Sequence, residues 1–411
     1  MVKGHAEVTT EALLEVGDRT GNTSYAPARM VIERGEGMYL FDRDGNRYLD
    51  FMAGIAVNCL GHCHPRLVEA IESQARRVMQ ISNVFYSDVQ IRLQEQLSAL
   101  SFADRMFLCS SGAEANEAAM KLARRYQRVI KADEGRTEII TFKKSFHGRT
   151  LAAITATGQP KYHKGFEPLV PGFRYATYGD LASVEALIGP QTVAVMVEPI
   201  QGEGGVKPSP EGFLQGLRQL CDAHGALLIF DEVQCGVGRT GSLFAYEHFG
   251  VVPDIMSLAK GLGGGVPIGA MLSTAEVFQG FVRGSHASTF GGNPVMCAAA
   301  SVVLEEVSKP ELLANVTDVG QYLQDGLRKL GEGSPVAFKE VRGVGLMVGV
   351  EVGPEFAGEV VKAARKRGLI INTAGGHTLR FVPPLVVTRQ HVDDALEILG
   401  AALAEVGAGQ G

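Results

Sequence analysis

The sequence predicts an α/β protein with a large domain built on a mostly parallel sheet and a second, smaller α+β domain. Its 411 residues exceed the size at which a single core keeps growing, so more than one domain is expected. From about residue 102, short apolar strands alternate with helical stretches, a pattern typical of a sheet buried on both faces. From about residue 294 the chain becomes helical and then returns to strands at 341–351 and 379–384, which predicts the second domain.

The N-terminal part of the chain predicts a small antiparallel sheet. Residues 1–24 are polar and are expected to form a mobile arm or a short helix. Short strands follow at 31–32, 38–41 and 48–51, and glycines and an Asp-Gly-Asn turn separate them. We count residues 1–55 with the small domain, 56–293 as the large ligand-binding domain and 294–411 as the C-terminal small domain.

The large domain is predicted to begin with a helix at 65–79, because proline favours the first helical turn. The strands and helices of the alternating region follow in this order: strand 106–109, helix 113–131, strands 139–142 and 193–197, helix 210–224, and strands 227–230, 255–258 and 270–272. The carboxyl ends of parallel strands meet at one edge of a sheet, so we expect functional groups at those ends.

Composition and charge exclude several classes of function. The net charge of −6 and a pI near 6.0 argue against a nucleic-acid or anionic-membrane surface. The N-terminus lacks the apolar segment of a signal peptide, and no apolar run is long enough for a transmembrane helix. The six cysteines show no disulfide spacing, and the Cys and His residues within 59–64 have no second cluster to complete a metal site. A cytoplasmic protein with free thiols and no metal is expected.

Lys260 is the candidate catalytic residue. The apolar run 255–259 places its amine at the end of a predicted buried strand, and four glycines follow within 261–265. Burial lowers the pKa of an amine toward its nucleophilic neutral form, and glycines allow the backbone to approach a planar group closely. The stretch indicates a Schiff-base lysine, and taken alone it is equally consistent with a surface lysine beside a glycine-rich loop.

Two further strand ends carry candidate ligand groups. Ser111, Gly112 and Ala113 follow one strand and open a helix, whose free N–H groups and dipole favour a phosphate, although Ser111 could simply cap the helix. Asp231 ends another strand, where a buried carboxylate needs a cationic partner. A protonated pyridinium nitrogen would serve, and Arg239 is the alternative partner.

The residues that follow other strands are suited to a planar ring and to carboxylates. Phe146 offers an aromatic face for stacking, and Arg149 offers a guanidinium shaped for bidentate carboxylate binding. Taken alone, this stretch is equally consistent with a loop that is packed by its phenylalanine. Glu203 lies in a glycine-rich stretch as a carboxylate without an evident partner. Arg380 in the second domain is a candidate partner, but the sequence contains no information on their distance.

Taken together, these stretches resemble the class III (ω-amino acid) group of pyridoxal-phosphate aminotransferases. The resemblance covers nearly the whole chain, through residues 25–28, 54–57, 60–65, 81–85, 111–117, 146–149, 198–205, 231–241, 259–260, 289–294 and 380–385. It implies a fold-type I, aspartate aminotransferase-like enzyme with a large mixed-sheet domain and a smaller α+β domain. It also implies pyridoxal 5′-phosphate as cofactor and a homodimer with shared active sites.

The resemblance implies a role for each candidate residue, with Lys260 carrying the cofactor. Cofactor-binding positions would be Ser111, Gly112, Ala113, Phe146, Asp231, Glu232, Val233, Gln234 and Thr289, the last reaching the phosphate of the neighbouring subunit. Substrate-binding positions would be Tyr25, Arg149, Glu203, Ser288 and Arg380. Ala113, Gly261 and Ala287 depart from the residues usual in the family, and none of them removes a reacting group.

Within the family, the resemblance is greatest to the members that act on N2-acetylornithine. It implies transfer of the δ-amino group to 2-oxoglutarate, a step of arginine biosynthesis. Succinylornithine, ornithine, 4-aminobutyrate and carrier-protein-linked aminoadipate-semialdehyde aminotransferases share the cofactor residues and stay open as alternatives. An aminomutase of the same fold is a further alternative. A cofactor-free nucleotide-binding protein is disfavoured, because the glycine-rich stretches lack a Walker lysine pattern and a dinucleotide fingerprint.

Overall fold

The computed structural model describes residues 8–409, and a seven-stranded sheet forms its centre. The strands of the chain are β1 (Ile32–Glu36), β2 (Tyr39–Asp42), β3 (Arg47–Asp50), β4 (Arg105–Cys109), β5 (Glu138–Phe142), β6 (Phe173–Ala176), β7 (Thr192–Val197), β8 (Ile200–Gln201), β9 (Lys207–Pro208), β10 (Leu227–Asp231), β11 (Ile255–Leu258), β12 (Gly269–Ser273), β13 (Glu340–Val344), β14 (Met347–Glu351), β15 (Leu369–Ile370), β16 (Asn372–Ala374) and β17 (Thr378–Phe381).

The described residues also form α-helices, of which some pack against this sheet and others against the smaller sheets. They are α1 (Thr10–Thr20), α2 (Ala53–Ala56), α3 (Pro65–Arg77), α4 (Asp88–Leu100), α5 (Gly112–Arg125), α6 (Leu151–Ala156), α7 (Pro160–His163), α8 (Leu181–Glu185), α9 (Phe213–His224), α10 (Ala245–Phe249), α11 (Ala275–Phe278), α12 (Pro294–Val307), α13 (Pro310–Glu332), α14 (Pro354–Lys366) and α15 (Arg389–Ala408). A π-helical turn, Tyr126–Ile130, extends α5, and a 3-10 turn, Lys260–Gly263, follows β11.

The central sheet has the strand order β4-β12-β11-β10-β7-β5-β6 and is mixed. All its strands are parallel except β12, which runs antiparallel to both β11 and β4. Every residue of β7, β10, β11 and β12 is buried, as their apolar runs predict. Because β12 is reversed, the loop that precedes it reaches the same edge as the carboxyl ends of its neighbours.

Local sequence explains where the helices beside this edge begin and end. Ser111 caps α5 by accepting a hydrogen bond from the N–H of Glu114 at 3.2 Å. The helix then buries an apolar stripe that includes Ala115, Ala119 and Leu122. Helix α3 begins with Pro65, as predicted, and ends two residues earlier than expected.

Two smaller sheets lie outside the central one. Strands β1, β2 and β3 form the predicted antiparallel sheet, and β15 adds to it in parallel, pairing Leu369 with Leu49. Strands β13, β14, β17 and β16 form an antiparallel sheet in the C-terminal part of the chain. The N-terminal strands therefore share a sheet with a segment more than 300 residues away. The domain boundaries at 55/56 and 293/294 stay a prediction.

Residues 8–409 contain no helix with the length and apolarity needed to cross a membrane. Within the same range, no group of His, Cys, Asp and Glu side chains is arranged to hold a metal ion.

Candidate active site

A cavity of about 460 Å³ opens at the carboxyl edge of the central sheet. It is lined by residues at or after the ends of five strands, β4, β5, β7, β10 and β11. The loop before β12, the glycine-rich loop after β8 and Val57 after α2 complete the lining. The lining residues are Val57, Ser110, Ser111, Gly112, Ala113, Asn116, Phe146, His147, Gly148, Arg149, Glu198, Glu203, Asp231, Val233, Gln234, Ala259, Lys260, Gly265, Val266, Pro267 and Ile268. The structure thus brings together most of the predicted site residues at the predicted edge.

Lys260 lies on the wall of this cavity, two residues beyond the end of β11. Its backbone has φ 43°, a left-handed conformation that is uncommon for a residue with a side chain and is concentrated at functional sites. Burial lowers the pKa of the Lys260 amine to about 8, and the nearby Glu203 and Arg380 act in opposite directions on it. The amine is therefore neutral in a substantial fraction of molecules near neutral pH.

Asp231 is buried behind the cavity, and both its carboxylate oxygens are occupied. Oδ2 accepts hydrogen bonds from Asn116 Nδ2 and from the His147 Nδ1 position, each at 2.7 Å, and Oδ1 accepts from the N–H of Val233 at 3.0 Å. These three donors fix the orientation of the Asp231 carboxylate. They come from α5, from the 146–149 loop and from the residue that follows its own strand end.

A second buried carboxylate, Glu198, lies near this group. Burial raises the pKa of Glu198 well above its usual range, while the neighbouring His147 acts to lower it. Burial acts to lower the pKa of His147, but its hydrogen bond to Asp231 and the charges of Asp231 and Glu198 together raise it above its usual value. His147 is thus held toward its protonated form, with Asp231 as its counter-ion.

The N-terminus of α5 forms a close-fitting concave surface. A Cβ atom at Gly112 would lie 2.7 Å from Cγ1 of Val233, and one at Gly148 would lie 2.8 Å from the Ala113 Cβ. Glycine is therefore required at both positions by packing, and at Gly148 also by φ 132°. The free N–H groups of a 14-residue helix open onto this surface.

An aromatic and cationic group forms another wall. The Arg149 guanidinium lies 3.9 Å from the ring centroid of Tyr162 and 5.3 Å from that of Phe146. Phe146 and Tyr162 meet edge to face at 6.1 Å. Cation–π contacts of this kind hold an arginine in place while its N–H groups stay free for a carboxylate.

Arg380 and Glu203 form an ion pair at the cavity, with Nη1 and Oε1 2.5 Å apart. The sequence suggested this pair without a distance, and the structure supplies it. Arg380 also donates to Gln234 Oε1 and to Asn372 Oδ1, each at 3.1 Å. Burial acts to raise the pKa of Glu203, but the Arg380 charge and hydrogen bond hold that pKa below its ordinary value.

Five predicted residues do not line the cavity. Arg380 is one of them, and it contacts the lining residues Glu203 and Gln234. Tyr25 is 76 % exposed. Ser288 and Thr289 lie on a loop whose carbonyl groups accept hydrogen bonds from Asn83 and Gln80. Glu232 was grouped with the cofactor residues, and its carboxylate instead accepts hydrogen bonds from the N–H groups of Ala245 and Tyr246 at 2.6 and 2.7 Å.

The carboxylate of Glu232 thus caps the first turn of α10 from inside the protein, and its assignment as a cofactor-binding position stays a prediction. Alternation along a strand sends neighbouring side chains to opposite sides, so Asp231 and Glu232 diverge. The alternative partner for Asp231 is wrong, because Arg239 donates to the carbonyl groups of Leu346 and Pro383.

Sequence reasoning missed Asn116, His147 and Asn372 as partners of site residues. Asn116 and His147 stand inside stretches that were singled out for their neighbours. A polar residue one turn into a helix beside a candidate anion site was the available signal for Asn116.

Comparison with known proteins identifies the family. A family model described as aminotransferase class-III matches residues 20–403. The chain belongs to the class III aminotransferases. The family resemblance, the fold-type I architecture and the dependence on pyridoxal phosphate are thereby confirmed, and the protein is a transaminase.

Proteins similar in sequence or in structure align with almost the whole of this chain. The acetylornithine aminotransferase of Caldanaerobacter subterraneus subsp. tengcongensis is 51 % identical over 92 % of this chain and 95 % of its own. The acetylornithine aminotransferase of Vibrio vulnificus is 46 % identical over 97 % of this chain and 100 % of its own. The ornithine aminotransferase structure from Toxoplasma gondii has a TM-score of 0.93 at 35 % identity, covering 98 % and 96 %. The N-acetylornithine aminotransferase structure from Stenotrophomonas maltophilia has a TM-score of 0.84 at 41 % identity, covering 96 % and 100 %.

The residues of the cavity fit pyridoxal phosphate. A phosphate requires clustered N–H donors, which the first turn of α5 offers beside Gly112. A pyridinium nitrogen requires a carboxylate as its partner, and three donors hold the Asp231 carboxylate in one orientation at the cavity. The aldehyde requires a neutral amine, and Lys260 has the lowered pKa that this demands.

The lowered pKa of Lys260 predicts how fast the cofactor-free protein reacts with added pyridoxal phosphate. Only the neutral amine is nucleophilic, so with a pKa of about 8 the rate should rise about tenfold between pH 7 and pH 9 and then level off. Stopped-flow absorbance measures this rate. With Nα-acetyl-lysine amide in solution, whose single amine has a pKa near 10.4, the rate should still be rising steeply at pH 9. A protein rate that also kept rising above pH 9 would contradict the lowered pKa.

Proposed function

We propose that this transaminase moves the δ-amino group of N2-acetylornithine to 2-oxoglutarate, giving N-acetylglutamate 5-semialdehyde and glutamate in arginine biosynthesis. Relatives named acetylornithine aminotransferase, 46–51 % identical over nearly the whole chain, support this choice. The observation that carries the proposal is the buried Glu203–Arg380 pair at the cavity, because it suits an enzyme with two unlike substrates.

The amino donor brings no carboxylate to its reacting carbon. An unpaired Arg380 would then be a buried cation without a partner, which is costly in a site closed to water. Glu203 removes that cost by neutralising Arg380 while the donor is bound. Arg149, held by Tyr162 and Phe146, is positioned to take the α-carboxylate of the donor at the far end of the cavity.

The amino acceptor carries a carboxylate on each end. 2-Oxoglutarate would place its α-carboxylate on Arg380 and its second carboxylate on Arg149. For this, the Glu203 side chain must turn away from Arg380. Glu203 is the member free to move, since its side chain is 25 % exposed whereas that of Arg380 is 1 % exposed and keeps two neutral partners.

We assign the cofactor contacts as follows. Ser111, Gly112 and Ala113 hold the phosphate, Phe146 and Val233 flank the ring, Asp231 binds its nitrogen and Gln234 approaches its 3-hydroxyl. When bound, pyridoxal phosphate supplies the electron sink that lets the amino group pass between the two substrates. Lys260 takes the proton from the substrate carbon that bears the amino group and delivers it to the carbon on the other side of that nitrogen. A base with a pKa near 8 is suited to this transfer.

A homodimer would complete this site, and the exposed apolar side chains support it. Tyr86 is 93 % exposed, and Phe85, Val84, Met79 and Phe290 are also exposed. Hydrogen bonds from Gln80 and Asn83 join this segment to the loop of Ser288 and Thr289. A large apolar patch on one chain is typical of a subunit interface, and it would carry Thr289 to the phosphate of the other subunit. We also propose that the dimer acts in the cytoplasm.

Steady-state kinetics with competing donors test the proposed function. N2-acetylornithine should give a kcat/KM at least about tenfold above those of ornithine, N2-succinylornithine and 4-aminobutyrate. A preference for one of the latter three would replace the donor assigned here. Turnover of the amino donor without any added oxo acid would instead indicate an aminomutase.

Replacing Glu203 with alanine should change the balance between the two substrate types. Without its counter-ion, Arg380 is open to an α-carboxylate at all times, so glutamate should gain about tenfold in kcat/KM relative to N2-acetylornithine. The absorbance of the cofactor follows the half-reaction with each amino donor, and the two measurements give the ratio of kcat/KM for glutamate to that for N2-acetylornithine. Glu340→Ala is the matched control, because Glu340 pairs with Arg342 outside the cavity. An unchanged ratio in Glu203→Ala would refute the switching role of the pair.

A further inference from the structure

Asn372 is one of two neutral partners of Arg380, the other being Gln234. Asn372 lies on β16, directly across from Arg380 on β17 in the antiparallel pairing, and the two strands are joined by a turn at Gly375 and Gly376. Asn372 Oδ1 accepts from Arg380 Nε at 3.1 Å. Arg380 Nη1 is directed to Glu203 and Gln234 instead.

The division of these contacts decides how Arg380 can bind a carboxylate. A guanidinium can take a carboxylate along its Nε side or at its two terminal nitrogens. With Nε engaged by Asn372, the terminal Nη1 contacts Glu203 and Gln234, which both line the cavity. The asparagine thus holds the plane of the guanidinium without carrying a charge that would compete with the substrate.

The same hairpin also holds the backbone that carries Glu203. The N–H of Gly375 donates to the Glu203 carbonyl at 3.0 Å, and Arg342 Nη2 donates to the Gly205 carbonyl at 2.7 Å. Opening the ion pair therefore requires rotation of the Glu203 side chain on a fixed backbone. Arg380 keeps Asn372 and Gln234 as partners during that rotation, so its cation is never left without hydrogen-bond acceptors.

We propose that Asn372 is a positioning residue for the acceptor half-reaction, which fixes Arg380 for the α-carboxylate of an oxo diacid and has no part in binding the donor. The proposal rests on the function proposed above, in which Arg380 binds that carboxylate. It predicts that changes at Asn372 act on ligands with two carboxylates and spare ligands with one.

Calorimetric titration of the holoenzyme with two unreactive ligands tests this. Glutarate resembles 2-oxoglutarate and can use both Arg149 and Arg380, whereas N-acetylnorvaline resembles the donor without its amine and has one carboxylate. In Asn372→Ala the Kd for glutarate should rise about tenfold, while the Kd for N-acetylnorvaline stays within twofold. Asn372→Asp keeps the acceptor atom but places a permanent negative charge beside Arg380. The Kd for glutarate should therefore rise at least as much as in Asn372→Ala.

Asn315→Ala is the matched control. Asn315 also lies in the C-terminal part of the chain and binds backbone, at the carbonyl groups of Leu385 and Val387, without contacting Arg380. It should leave the ratio of the two Kd values unchanged. Equal weakening of both ligands in Asn372→Ala, or no weakening of glutarate in either Asn372 variant, would overturn the proposal.

The half-reactions separate this proposal from the proposed function. Single turnovers with 2-oxoglutarate should lose apparent affinity in Asn372→Ala, with the limiting rate within about twofold of the unaltered enzyme. If the unaltered enzyme bound glutarate no better than N-acetylnorvaline, the acceptor role of Arg380 would fail, and the proposal for Asn372 with it. If the unaltered enzyme preferred glutarate and Asn372→Ala kept that preference, only the proposal for Asn372 would fail.

Discussion

Replacing Lys260 with alanine is expected to lower turnover on the order of 10⁴-fold, because the variant loses both the nucleophilic amine and the base of the reaction. The cavity that holds the cofactor should persist, since Asp231, Gly112 and Phe146 take their positions from other strands. Pyridoxal phosphate should therefore still bind, but without a covalent bond to the protein. Borohydride treatment followed by peptide mass spectrometry should find a labelled Lys260 in the unaltered enzyme and no labelled peptide in the variant.

The control for this change is Lys366→Ala, which removes an exposed lysine near the end of α14. It should keep full activity and the covalent label. Turnover of Lys260→Ala within about a hundredfold of the unaltered enzyme would show that another group acts as the base.

The alternation of strands and helices in the large domain was predictable because it depends on local patterns. The runs 227–230 and 255–258 are apolar except for Ser257, and they form buried strands at nearly the expected bounds. The edge strand β6 was missed, since Phe173–Ala176 contains an exposed arginine and only four residues. The reversal of β12 was not predictable from its residues, because direction depends on the path of the chain and leaves no local pattern.

Pairings between distant segments could not be predicted for the same reason, because they leave no local pattern in the sequence. Nothing in Leu369–Ile370 indicates that it joins a sheet formed by residues 32–50. Its two residues are too few to show a period, and the partner is defined only when the whole chain is folded.

The candidate site divides along similar lines. Lys260, Asp231 and Gly112 could be found because strand ends and glycines are visible in sequence and the carboxyl edge is common to them. The partners that tune them could not, since Asn116 and Asp231 are separated by 115 positions and meet only in the folded protein. The surroundings of the Glu232 side chain could not be predicted either: adjacency in sequence suggested a role shared with Asp231, whereas strand geometry directs the Glu232 carboxylate to α10.

Replacing Asp231 with asparagine is expected to lower kcat by about 10²- to 10³-fold, the range found when one preorganised electrostatic group is lost from an active site. Asparagine keeps the shape of aspartate but carries no charge, so the ring nitrogen would lose the anion that holds it protonated. Its amide also cannot accept from all three present donors, because either the Val233 N–H or the pair formed by Asn116 and His147 would face an NH₂ group. The variant should accordingly bind pyridoxal phosphate less tightly, and equilibrium dialysis against the cofactor measures this separately from kcat.

Asp254→Asn is the matched control for that change. Asp254 lies just before β11 at the opposite edge of the sheet, where it binds Arg218 and the N–H of Leu228. Its loss should reduce stability by about 1–3 kcal/mol and leave cofactor affinity unchanged. The two substitutions together test whether Asp231, at the carboxyl edge of the sheet, serves the reaction while Asp254, at the opposite edge, serves folding. Equal effects of the two substitutions on kcat and cofactor affinity would reduce Asp231 to a structural acid.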